Sequence, residues 1–159
     1  MRHAELSEEN CAIARASAVL GQRWVWPILR SAFNGARRFE DYQRGTGVAR
    51  NILTDRLAGL VEHGILDKSP RDGVPRGHRE YRLTEKGRAL FPVYLALMQW
   101  GNEWTGLAAP PIDVVHEPCG HRTTPTVVCS ECGEALVARE TRPVLGAGHQ
   151  QGGPGLSVI

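Results

Sequence analysis

The sequence contains no long hydrophobic run. None of its apolar stretches approaches the roughly 20 residues that cross a bilayer, which argues against a transmembrane helix. Residues Met1 to Glu9 lack the apolar segment of a secretory signal, so the chain is read as cytoplasmic. Also missing are a Gly-rich phosphate loop ending in Lys-Ser or Lys-Thr, a Gly-x-Ser-x-Gly nucleophile turn and a His-Glu-x-x-His zinc pair. An enzymatic reading therefore finds no motif to stand on. Charge of one sign is scarce as well, at a net +2 at pH 7 over 159 residues. A chain of this length buries one proper core and leaves room for a small accessory module.

What is present is unevenly placed. Between Gln22 and Leu90, fourteen Lys or Arg residues stand against eight Asp or Glu. Such an excess fits a polyanionic partner without establishing one. Inside it, Val48 to His63 reads as one amphipathic helix. At about 100° per residue, Leu53, Leu57 and Leu60 fall on one stripe, with Ile52 and Val61 at its margins. Asn51, Thr54, Asp55 and Ala58 point the opposite way, while Arg50 and Arg56 flank the boundary. Short hydrogen-bonding side chains, in place of long Glu and Lys pairs, let a partner approach closely, as a DNA major groove would. An ordinary solvated helix face fits the same pattern.

The flanks narrow the choice. Arg38-Phe39-Glu40-Asp41-Tyr42 opens a shorter helix, and Gly45-Thr46-Gly47 supplies the turn before the long one. Gly64 ends the long helix as a residue tolerant of left-handed backbone. Ile65 to Lys68 and His78 to Leu83 read as two strands joined through the Asp72-Gly73 turn, with Tyr81 and Leu83 on one face. Helix, turn, helix and hairpin in this order make a winged helix. Upstream, Asn10 can cap an alanine-rich helix reaching Leu20. A further helix spans Trp24 to Phe33, with Pro27 in the opening turn, where no intrahelical amide bond is lost.

Downstream, Thr84 can cap a last long helix to about Trp104, kinked at Pro92. Its Leu90, Val93, Tyr94, Leu97, Met98 and Trp104 are too apolar for the outside of a monomer. They predict a homodimer, paired through its N- and C-terminal helices, whose two copies of the helix from Val48 to His63 sit on one DNA face about one helical turn apart.

Gly21-Gln-Arg-Trp24, Ile28-Leu29-Arg30, Arg38-Phe39, Leu53-Thr54-x-Arg56-Leu57-x-x-Leu60, Gly64-Ile65-Leu66, Val74-Pro75, Glu80-Tyr81-x-Leu83-Thr84-x-x-Gly87 and Trp100-Gly101 carry a specific resemblance. Over about residues 10 to 105 the chain resembles the HxlR-type branch of the MarR-like winged-helix transcription regulators. The resemblance implies a homodimeric, sequence-specific regulator on a pseudo-palindromic operator in double-stranded DNA, a repressor in preference to an activator. It implies a recognition helix over 49–63, a wing over 65–83 and a small-molecule or redox effector. Two departures stand out. The family usually places Ser where this chain has Ala49, which removes a side-chain cap worth about 1 kcal/mol unless Thr46 substitutes. It also prefers an apolar residue where Arg79 stands.

Asn51 and Thr54, with Arg50, are the candidates for base choice. Arg37 and Arg38, with Arg71, Arg76 and Arg79 in the wing and His78 a weaker member, are those for the phosphate backbone. Arg79 is alternatively a rim residue whose stem packs on the core, and Arg56 joins the DNA-binding set as a flanking, outward-swinging arginine. Asp55 is expected to orient Arg50 or Arg56. The competing use of such a module is protein docking, since fold alone does not fix function. Cys11 falls in the first turn of its helix, where a helix N-terminus favours the thiolate. Some relatives of this type sense oxidants through a cysteine there. A small, partly buried residue is the plainer reading.

After a linker over 106–113 the composition changes. His116-Glu-Pro-Cys119-Gly120 and Cys129-Ser-Glu-Cys132-Gly133 each place two ligand types two residues apart, followed by glycine. This is the pattern of paired zinc knuckles. His116, Cys119, Cys129 and Cys132 would hold a structural Zn²⁺ in a ribbon-like module over 114–140, with His121 competing for the fourth position. A reduced cysteine pair or a Cys129–Cys132 disulfide fits the same residues. From Thr141 the Gly- and Pro-rich tail is expected to be disordered. The expected fold is mainly α with a small β wing (α+β). It is a winged helix-turn-helix with N- and C-terminal dimerisation helices and a small C-terminal zinc-ribbon-like module.

Overall fold

The computed structural model describes residues 11–70, 79–144 and 146. The chain divides into two compact units, Ala16–Met98 and a second that joins the residues up to Arg15 with those from Gln99 onward. The elements in order are α1 (Ala12–Leu20), α2 (Val25–Phe33), α3 (Phe39–Thr46), α4 (Arg50–Glu62), β1 (Leu66–Pro70), β2 (Arg79–Leu83), α5 (Glu85–Arg88), α6 (Phe91–Trp104), β3 (Val114–His116) and β4 (His121–Thr123). No described helix is long and apolar enough to cross a membrane.

The core of the first unit is the leucine stripe foreseen on α4. Leu53, Leu57 and Leu60 are at most 2 % exposed and cluster with Ile28 and Leu29 of α2, Tyr42 of α3, and Ile65, Leu66 and Tyr81 of the wing. Each buried leucine contributes about 1.5–3 kcal/mol relative to exposure. That burial fixes the rotation of α4 about its own axis.

Helix α2 begins one residue past Trp24, which takes the left-handed conformation at φ 79°. A bulky residue there carries strain of about 1–3 kcal/mol. Pro27 sits in the first turn, as expected. Helix α3 runs further than the sequence indicated, through Gly45 and Thr46, and the turn begins only at Gly47, with φ 66°. Gly45 serves another purpose, because a Cβ on it would stand 2.7 Å from Ser31 Oγ. It lets α3 press against α2.

At the start of α3 the Asp41 carboxylate accepts the backbone N–H groups of Arg38 at 3.1 Å and Arg37 at 3.4 Å, and pairs with Arg44 at 2.7 Å. The Arg38 amide, helped by that of Arg37 and the charges of Arg44 and Arg38, holds its pKa below the usual 3.8 against an opposing desolvation. Helix α4 has no such cap, since Ala49 offers no acceptor. Thr46 does not replace it. Its hydroxyl donates to Tyr42 O and accepts the Val48 amide, one residue ahead of Ala49.

Helix α4 closes in a Schellman arrangement, with Ile65 N–H on Leu60 O and Gly64 N–H on Val61 O, Gly64 lying at φ 66°. Strands β1 and β2 pair antiparallel from Leu66 opposite Leu83 to Pro70 opposite Arg79. The Tyr81 amide donates to Arg37 O at 2.7 Å, tying the wing to the entrance of α3. Thr84 caps α5 through its hydroxyl oxygen, which accepts the Gly87 amide. The long helix expected after Thr84 is broken instead of kinked. Pro92 supplies no amide and would clash with the carbonyl one turn back, so α5 stops at Arg88 and α6 restarts with Pro92 in its first turn. Gly87 lies hard against the wing, a Cβ there being 2.2 Å from Ile65 O.

Substitution of Gly87 by Ala should therefore cost about 1–3 kcal/mol by overpacking against backbone. Gly59→Ala, where no atom lies within 4 Å of the added carbon, should stabilise by about 0.5–1 kcal/mol in a helix interior. Chemical denaturation of both variants checks the opposite signs. Asp41→Ala should lose about 1 kcal/mol of stability near neutral pH, as other cap removals do. Because the folded pKa is depressed, that contribution is present above 3.8 and fades as pH falls through the lower folded value. Melts of wild type and variant should converge in acid and stay apart above it.

Candidate nucleic-acid interface

With its leucines inward, α4 turns Arg50, Asn51, Thr54, Asp55 and Ala58 to solvent. The Asn51 amide makes no hydrogen bond to another described residue, so its donor and acceptor are both available. Thr54 donates its hydroxyl proton to Arg50 O at 2.8 Å, which leaves the oxygen as an acceptor on an exposed residue. Arg50 is held by α3, its guanidinium 3.2 Å from Gln43 Oε1 and 4.7 Å from the centre of the Phe39 ring. Neither Gln43 nor Phe39 was singled out from sequence as a support for Arg50. A contact seven residues back across a turn leaves no periodic signal.

Arg56, read from the sequence as flanking this face, has a partner within the chain. Its Nε donates to Arg23 O at 3.1 Å, fastening α4 to the strained turn before Trp24, whose ring lies 5.1 Å from the Arg23 guanidinium. The expected orienting role of Asp55 is not seen. Arg50 and Arg56 are drawn to Gln43, Phe39 and Arg23 instead.

Around this face stand exposed cations. Arg37 and Arg38 lie at the entrance to α3, and Arg79 is exposed at the start of β2. Lys68, absent from the sequence-derived candidates, projects from β1 with its ammonium 5.3 Å from the Tyr81 ring centre. Arg71, Arg76 and His78, with the Asp72-Gly73 turn, lie outside the described residues. Two further basic groups brace the helices. Arg30 donates to Gly45 O and Lys86 to His63 O, satisfying carbonyls at the ends of α3 and α4.

In the second unit Cys11 occupies the N-cap of α1, a place expected for Asn10, which is outside the described residues. Its sulfur accepts the Ala14 amide at 3.4 Å. All four cysteines are free thiols. The Nδ1 of His116 lies 3.3 Å from Cys119 Sγ. The Cys129 sulfur accepts the amides of Cys132 and Glu131 and bonds the Cys132 thiol, and these hold its pKa below the ordinary 9.0. His116 thus lies beside Cys119, and Cys129 beside Cys132. Among the described residues, no three His, Cys, Asp or Glu side chains gather into a metal-holding group.

Comparison with known proteins agrees with the fold. The profile of the HxlR-like helix-turn-helix family matches residues 19–108. An uncharacterized HTH-type transcriptional regulator of Mycobacterium tuberculosis, Rv3095, is 43% identical over 143 residues, covering 89% of this chain and 90% of that one. The crystal structure of PA1607, a transcription-factor candidate, superimposes with a TM-score of 0.78 at 38% identity, covering 89% of this chain and 97% of the other. The redox regulator HypR in its reduced form gives a TM-score of 0.55 at 28% identity, over 60% of this chain and 95% of its own. With more than half of its length matched by the profile, the chain belongs to the HxlR-like helix-turn-helix family of transcriptional regulators.

Proposed function

We propose that the protein is a homodimeric, sequence-specific repressor that lays α4 in the major groove of a pseudo-palindromic operator. The carrying observation is the polar, short-chained outer face of α4, held outward by a fully buried leucine stripe. Asn51 is suited to the paired N6 and N7 of adenine. Thr54 offers an acceptor to an amino group or a methyl contact to thymine. Arg50, restrained by Gln43 and Phe39, reaches the groove edge with less rotameric freedom to lose. Arg38, Arg79 and Lys68 would meet phosphates, with the wing residues Arg71, Arg76 and His78 added from sequence. The missing cap on α4 fits this placement, because a phosphate oxygen can take the amides that Ala49 leaves unsatisfied. Arg56 is assigned to holding α4 in position.

The homodimer rests on α6. It buries none of its residues within the chain, and Phe91, Val93, Leu97, Trp100 and Trp104 are all 40 % exposed or more. So much apolar surface on one helix calls for a partner. A two-fold pairing presents two reading helices to one face of the duplex. A protein working on the chromosome in this way acts in the cytoplasm.

Asn51→Ala and Thr54→Ala should each cut the preference for operator over random duplex by about 1–3 kcal/mol while sparing nonspecific affinity. Arg79→Ala should weaken both and reduce the slope of affinity against salt by about one contact. Fluorescence anisotropy over a salt series, on protein that sediments as a dimer, checks this. Equal losses for all three variants, or a monomer at micromolar concentration, would contradict the proposal.

A thiol response through Cys11 is a second reading, favoured by the likeness to the redox regulator HypR and by the placement of Cys11 at a helix N-terminus. Peroxide should then weaken DNA binding of the wild type and leave Cys11→Ser unaffected. An identical response of both proteins would remove this reading.

A further inference from the structure

The segment from Leu107 to Val144 contains no buried residue at all. Val115, Val127, Val128 and Leu136 are between 45 % and 64 % exposed. A segment below about 40 residues without a core needs a covalent or metal cross-link, or a partner. The sequence places the means for one at the two points where this segment turns.

Those points are built alike. In the first hairpin β3 and β4 pair antiparallel with His116 opposite His121, and the Gly120 amide donates to His116 O at 2.8 Å. In the second, Val128 bridges Ala135, and the Gly133 amide donates to Cys129 O at 2.9 Å. Both glycines are left-handed, at φ 69° and 75°. The same turn thus appears twice, each time carrying a potential ligand at its first and fourth residues. Neither turn requires glycine to fill space, since no atom lies within 4 Å of an added Cβ at Gly120 or Gly133.

The spacing within a turn can be tested against a metal. With Zn–S near 2.3 Å and Zn–N near 2.0–2.1 Å, the N···S edge of a tetrahedron is about 3.5 Å. The separation of His116 Nδ1 from Cys119 Sγ is 3.3 Å. That places His116 beside the thiol as a ligand edge would. The first turn therefore has the spacing of one ligand edge, and among the described residues no third donor joins either pair.

We propose that the two turns close on a single Zn²⁺ held by His116, Cys119, Cys129 and Cys132. Each cysteine gives its proton to solvent and binds as thiolate, and His116 binds as neutral imidazole. Four protein ligands leave no open position, so the ion is structural. It joins two hairpins that have no apolar core between them, and its binding energy is their folding energy. The inference is independent of the DNA-binding proposal.

The test uses the full chain, purified under reductant without chelator. Elemental analysis should find about one zinc per chain. Replacement by Co²⁺ should give the visible absorption of a tetrahedral ion with a sulfur charge-transfer band. His116→Ala and Cys132→Ser should lose the metal and this spectrum, while His121→Ala and Cys11→Ser keep both. Chelation should render the segment after Leu107 sensitive to protease, with residues 16–98 still protected. Zinc below about a tenth of an equivalent with no cobalt spectrum would overturn the site. So would a cobalt spectrum indifferent to Cys132→Ser, or a reductant-sensitive mass deficit of a pair of hydrogens marking a Cys129–Cys132 disulfide. Loss on His121→Ala with retention on His116→Ala would overturn the ligand assignment.

Discussion

The burial of three leucines on one side of α4 governs everything else in the winged unit. Because Leu53, Leu57 and Leu60 pack with Ile28, Leu29 and Tyr42, the helix cannot rotate without exposing them, at a cost of several kcal/mol (about 1.5–3 for each). Rotation fixed in this way decides which side chains face outward, and Asn51 and Thr54 follow from it. The close approach at Gly45, the Arg56 link to Arg23 O and the Schellman closure at Gly64 all hold the same helix from different directions. The position of the wing depends on it too, since β1 starts directly from that closure.

Much of this was legible in the sequence because it is periodic or local. The leucine spacing gave the buried face of α4, Gly64 gave its end, and the alternation around Tyr81 gave the second wing strand. The absent cap at Ala49 could be read as an absence. What the sequence hid depends on contacts between distant residues. Gly45 and Gly47 look alike as turn residues, yet one is a packing glycine inside α3 and the other the left-handed cap. Proline after Thr84 announced a disturbance without saying whether the helix would bend or stop. The division of labour among arginines was the least legible part. Arg50, Arg56 and Arg30 are alike in sequence, and only the carbonyl or ring each one reaches separates the exposed face from a brace.

The two ends of the chain obey different physics. Residues 16–98 form a unit with an apolar cluster large enough to order them. The segment beyond Leu107 has hairpins, left-handed glycines and paired His and Cys side chains but, among the described residues, no interior. In the first, apolar burial positions polar groups. In the second, burial supplies nothing, and the proposed metal link is what would supply the stabilisation. Helix α6 stands between these regimes in sequence, apolar enough to be core and left uncovered in the single chain.

The central claim is that the outer face of α4 enters the major groove, once from each member of a dimer. Dimethyl sulfate footprinting of the full chain on an operator selected from random duplexes tests it most directly, because the reagent reads guanine N7 on the major-groove edge. The account predicts protection in two major-groove segments about 10 base pairs apart on one face of the duplex. Protection of a single segment, or binding that leaves every N7 accessible, would contradict it.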